Sequence, residues 1–260
     1  MASTTSEVTK KVTEEVTEKK SLFNLNWVIG GSLLVLSIAM AARWYQGWAA
    51  WDYGLDSTHI DFQTYWMTLL YVEIAVFSIL FIVSNVGLWM TRDRDLPNLD
   101  ARTEISRYMK LIGMLFVYAF AFVFAGSFFA EQDAAWHQVV VRDTSFTPSH
   151  IIEFYGMFPM FICLGFASYI YAITRLPLFA KNVSIPLIIA VIGPMMVLPN
   201  VGYNEWGHAF WLMEEYFTVP LHYGFVFFGW SIMALGGILV QIMSRISVLM
   251  PTAFHLKADA

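Results

Sequence analysis

Six stretches of this chain run almost without charge, at 27–48, 65–90, 108–130, 151–173, 183–198 and 220–246. At about 1.5 Å per residue, a run of some 20 residues crosses a ~30 Å hydrocarbon core. Each run therefore reads as a transmembrane helix. The fifth is short and contains Gly193 and Pro194, so it is expected to kink or stop before crossing fully, and proline at depth needs neighbours that satisfy the freed backbone. Composition agrees: the chain is 58% apolar and only 13% charged, too little charge to clothe a soluble domain. The expected fold is an all-α, polytopic transmembrane bundle of about six spans. A polar segment, 1–24, precedes a membrane domain, 25–247, and a tail, 248–260, follows it.

Lysine and arginine orient the bundle. Of the 15 cations, Lys10, Lys11, Lys19 and Lys20 precede the first run. Arg92, Arg94, Arg102, Arg107 and Lys110 separate the second from the third, Arg175 and Lys181 the fourth from the fifth, and Arg245 and Lys257 follow the sixth. The other two are Arg43, near the outer edge of the first run, and Arg142, between the third and fourth. With both termini in the cytoplasm the positive-inside rule holds at every loop, which fits six spans better than five. The segment 1–20 spaces Val8, Val12 and Val16 four apart among Glu and Lys, which suits either a surface helix or a solvated tail. It carries no removable leader pattern.

This orientation gathers five of the six histidines, His59, His137, His150, His208 and His222, at the outer face. Asp133 and His137 are one helical turn apart and project the same way. Pro148 and Ser149 mark a helix start that Thr147 or Ser149 could cap, which sets His150 at the first turn of the fourth span. Two imidazoles and a carboxylate leave coordination positions open and suit zinc, copper or non-haem iron. Interfacial polar groups bonded to each other and to water are the alternative. Asn204 and His208 repeat the four-residue spacing and His222 follows them, but an amide is a weak donor, and Glu205, Glu214 or Glu215 could stand in for Asn204. Glu153, one turn from His150, could orient an imidazole. Glu73, also in an apolar run, reads as structural or facing another subunit. Trp136, Trp206, Trp211, Tyr203 and Tyr216 read mostly as an interfacial aromatic belt, and Arg142 and Asp143 as a local pair.

Other chemistries are excluded. There is no phosphate-binding glycine loop, nucleophile elbow, paired-cysteine motif or clustered histidine box. The lone Cys163 permits no internal disulfide and excludes an iron–sulfur cluster within this chain. No basic patch interleaves with aromatics, so nucleic acid is not an expected partner.

The strings EQDAAWHQVVVRDTSFTPSHIIEFY, TRLPLFAK, LPNVGYNEWGHAFWLMEE and PLHYGFVFFGW resemble the C subunit of the copper membrane monooxygenases, the family of particulate methane monooxygenase and ammonia monooxygenase. The resemblance runs from about Arg43 to Ile246. It implies a helical subunit that assembles with the A and B subunits as a trimer of heterotrimers in the inner or intracytoplasmic membrane of a bacterium, with metal sites toward the periplasm. It implies oxidation of methane to methanol, or ammonia to hydroxylamine, with O₂, copper and electrons from quinol. By the same resemblance Asp133, His137 and His150 bind copper or zinc, and Asn204, His208 and His222 form a further copper site that is the expected seat of oxidation. Apolar walls from Trp206, Phe210 and Trp211 would admit a small uncharged substrate from the lipid and restrict water. Glu153 and Glu205 are candidate proton carriers.

The substrate stays open. RDTSFTPSH and AEQDAAWH are similar to the ammonia branch, HIIEFY and PLHYGFVFFGW to the methane branch, and short-chain alkane oxidisers share these motifs. A structural subunit whose histidines hold an accessory ion is the competing class. A transporter would carry polar residues through the spans at several depths, and the span centres here are nearly all apolar.

Overall fold

The structure, a computed structural model, describes residues 22–129, 133, 136, 146–199 and 214–254. The segment 1–20, the Arg142–Asp143 pair and most of the connections at 131–150 and 199–219 lie outside the described residues. All regular structure among the described residues is helical. Five helices are long and apolar enough to cross a membrane: α1 (Asn26–Tyr53), α2 (Ile60–Met90), α3 (Ala101–Val123, continued by a wider helical turn, Phe124–Phe129), α4 (Pro148–Arg175), and the far half of the 40-residue α7 (Glu214–Ala253). Two shorter helices, α5 (Pro177–Lys181) and α6 (Ile185–Met195), lie between α4 and α7.

The fifth apolar run is the short one, as its proline suggests. With the turn that follows it, this helix reaches Pro199, roughly 22 Å at 1.5 Å per residue and less than the hydrocarbon core. Pro194 lacks the N–H that would bond the carbonyl of Ala190 four residues back. Tyr118, fully buried on α3, donates its hydroxyl to that carbonyl at 2.6 Å. The neighbouring helix thus satisfies the group that proline frees, as a lipid-embedded backbone requires.

Helix α4 is the centre of the bundle: 56% of its apolar window is buried in the protein, against 6% for α2. Phe161 and Tyr118 pack at this centre, and Gly165 lets the Tyr118 ring approach, since a Cβ there would sit 2.8 Å from the ring. The faces that α1, α2 and α7 turn outward carry Leu33, Leu34, Ile79, Val83 and Val240. Such helices, apolar all round, belong in lipid or against partners.

The described cations other than Arg43 collect at one end. Arg107 pairs with Asp93 at 2.7 Å and donates to the carbonyl of Arg175. Arg175 in turn reaches the carbonyls of Leu88 and Thr91. Arg245 grips the buried Glu104 through Nε and Nη2, at 2.8 and 3.1 Å, and Tyr108 donates to the same carboxylate. Asp93 is held below the ordinary carboxylate range, first by the backbone N–H of Asp95 and then by Arg107. Ser106 bonds the carbonyl of Leu22, and Arg102 lies over Phe254, so both ends of the described chain return to this cationic end. Helices α6 and α7 run antiparallel, tied by Ser184 to Gln241 and by Ser231 to the carbonyl of Ile189.

Candidate metal centre

At the opposite end α1, α2, α3 and α4 meet. Thr147 is extended and precedes Pro148, whose missing N–H costs nothing in a first helical turn. The helix start and the place of His150 in it are as the sequence predicts. The capping is not: no side chain caps the helix, whose first backbone bond runs from the Ile151 N–H to the Thr147 carbonyl. Ser149 donates to Asp133 Oδ1 at 2.6 Å, a short charge-assisted bond from a hydroxyl to a carboxylate.

Asp133 Oδ1 also lies 3.2 Å from His150 Nε2. His150 is 1% exposed, and its ring stacks on Phe154 with centroids 4.4 Å apart. Two ligands bound to one ion at about 2.0–2.2 Å hold their donor atoms a little over 3 Å apart, so the separation suits a shared ion. Oδ1 then has Ser149 to fix its orientation, and Phe154 fixes the imidazole plane. Glu153 is buried on the same turn. Among the described residues no three His, Cys, Asp or Glu side chains converge. His137, the third expected donor, lies outside them.

The second set is described only in part. Asn204, His208 and Glu205 lie outside the described residues, whereas the backbone of His222 belongs to α7. His222 is roughly 35 Å along α7 from Arg245, and His150 is about as far along α4 from Arg175. Both positions therefore stand at the end away from the cations. The exposed His59 is at this end too, before α2, where its Nδ1 accepts from the Asp61 N–H at 3.3 Å.

Two features here escaped sequence reasoning. Wide, π-type turns occur at Gln63–Met67, Phe124–Phe129 and Ile151–Met157, all at this end. Such turns are rare and recur at functional sites. Trp136 is buried and stacked on Trp51, with centroids 5.0 Å apart, so it belongs to the interior and not to an outer belt. Glu73, which the sequence left as structural or facing another subunit, takes the structural place, its carboxyl pointing inward against Gly156 of α4. Below it an apolar groove of about 370 Å³ opens between α2 and α4, lined by Phe77, Phe81, Tyr155, Pro159 and Cys163 among others.

No curated protein matches the chain. The family model AmoC, which describes the C subunit of ammonia monooxygenase/methane monooxygenase, matches residues 9–253, nearly the whole sequence. With its helical, multi-pass fold, the chain belongs to this family, the C subunits of the ammonia and methane monooxygenases.

Proposed function

We propose that this chain is the metal-bearing membrane subunit of a copper-dependent monooxygenase that hydroxylates methane or ammonia with O₂. The observation that supports this reading is the meeting of Asp133 with the buried His150 at 3.2 Å in a chain of this family. Asp133, His137 and His150 hold one ion, copper or zinc, with Ser149 orienting the carboxylate and Phe154 the ring. Asn204, His208 and His222 hold a second, copper, which supplies the O₂ chemistry when bound. Soft Cu(I) accepts few ligands, so two imidazoles and an amide leave room for small molecules. Trp206, Phe210 and Trp211 admit an uncharged substrate from lipid and keep water out, and Glu153 and Glu205 carry protons. The A and B subunits complete the complex, as a trimer of heterotrimers, and quinol delivers electrons. The cationic end faces the cytoplasm of a bacterial inner or intracytoplasmic membrane, and the metal end faces the periplasm.

The test is product formation and copper content of the purified complex in lipid nanodiscs, for wild type and His208→Ala. The reading predicts that copper and turnover fall together while assembly persists, and the product, methanol, hydroxylamine or a longer alcohol, identifies the substrate. Turnover that survives copper loss makes this chain a scaffold for chemistry in another subunit.

A further inference from the structure

Glu73 lies within the membrane-spanning part of α2, where a carboxyl is expensive unless it has a task. Its Oε2 is enclosed by protein with no hydrogen-bond partner among the described residues. Its Oε1 occupies the space that a side chain at Gly156 would fill: a Cβ there would sit 2.5 Å from Oε1 and 3.1 Å from the carboxyl carbon. Only glycine leaves this gap. Gly156 belongs to the wide turn Ile151–Met157, where the Phe158 N–H reaches back five residues to the Glu153 carbonyl.

A wide turn has a geometric consequence. It places one extra residue in the helix, so everything N-terminal to it is rotated by about 100° relative to an unbroken α-helix. His150 is the residue immediately before that turn. With the turn, its imidazole meets Asp133; with a regular helix it would face elsewhere. The turn lies on a seam that continues along both helices. Cys163 Sγ approaches the Phe77 carbonyl at 3.6 Å, Phe81 packs on Phe166, and Arg175 reaches Leu88. Below Gly156 this seam holds α4 in fixed register with α2, so the wide turn is where the rotation of the N-terminal part is set.

We infer that Glu73 is a positioning residue for the metal centre: its carboxyl, lodged at Gly156, holds the wide turn of α4 and so aims His150 at Asp133. The inference rests on the reading that Asp133 and His150 share a metal ion.

The experiment uses the whole complex with Cu(II), comparing wild type, Glu73→Leu, Glu73→Gln, Gly156→Ala and His150→Ala by copper-binding titration and electron paramagnetic resonance. Glu73→Leu weakens copper at the Asp133/His150 site by about 10–100-fold and changes the spectrum. Glu73→Gln, with the same shape, restores both. Gly156→Ala, which displaces Oε1 by adding a methyl in its place, shifts the spectrum as Glu73→Leu does, and it decides the matter if Glu73→Leu fails to assemble. A wild-type affinity and spectrum in Glu73→Leu, or in Gly156→Ala where the first does not assemble, overturns the inference. Retention of the full wild-type signal in His150→Ala instead overturns the underlying metal reading.

Discussion

At the scale of residues, the site is organised by the Ser149 hydroxyl, which donates to the Asp133 carboxylate. Sequence suggests a cap, because the position before a helical run usually supplies one. Tertiary structure gives the hydroxyl to Asp133, 16 residues earlier, and a local rule cannot anticipate that partner. Asp133 and His150 stand in recognisable strings, and the structure brings them to 3.2 Å of each other; that they hold a metal is the proposal. Phe154 was not legible, since an aromatic in an apolar run carries no mark of what it stacks on. Ser149→Ala should weaken metal binding by about 10-fold, because the carboxylate loses the bond that orients it, and should cost about 1 kcal/mol of stability. A copper titration and a denaturation curve on the solubilised complex check the two effects separately.

At the scale of elements, the helices were legible, with ends up to seven residues off, because uninterrupted apolar length is an unambiguous signal. The wide turns were not. They arise where helices press together, as at Glu73 and Gly156, and no residue type encodes them. Pro194 shows the opposite case, since the proline marks the break in the sequence and the structure supplies its repair through Tyr118. Tyr118→Phe should destabilise the protein by about 2 kcal/mol, because it leaves the Ala190 carbonyl buried and unpaired. Adding Pro194→Ala supplies the missing N–H, so the double variant should recover most of that loss. A double-mutant cycle on thermal unfolding measures the coupling; additive losses would contradict it.

At the scale of the whole molecule, the division of labour between the two ends follows from charge. The described cations other than Arg43, with the Arg107–Asp93 pair and the Arg245–Glu104 fork, occupy one end, and Asp133, His150 and the wide turns the other. The count of cations per loop made this polarity legible, although not the clamps that use them. Asp93, held below the ordinary carboxylate range, gives a pH signature. Its contribution to stability is fully present above the unfolded value of about 3.9 and is lost as pH falls through the lower folded value. Asp93→Asn should therefore be less stable than wild type at neutral pH and should lose less on acidification, a difference that thermal unfolding between pH 7 and 3 reads directly.

The account stands or falls on whether Asp133 and His150 share an ion. A high-resolution electron cryomicroscopy map of the copper-loaded complex in lipid nanodiscs measures this most directly. The account predicts density for one ion bound by Asp133 Oδ1 and His150 Nε2, with His137 as a further ligand and Ser149 still bonded to the carboxylate. A direct hydrogen bond between His150 and Asp133 with no density between them, in a complex that carries its copper elsewhere, would contradict it.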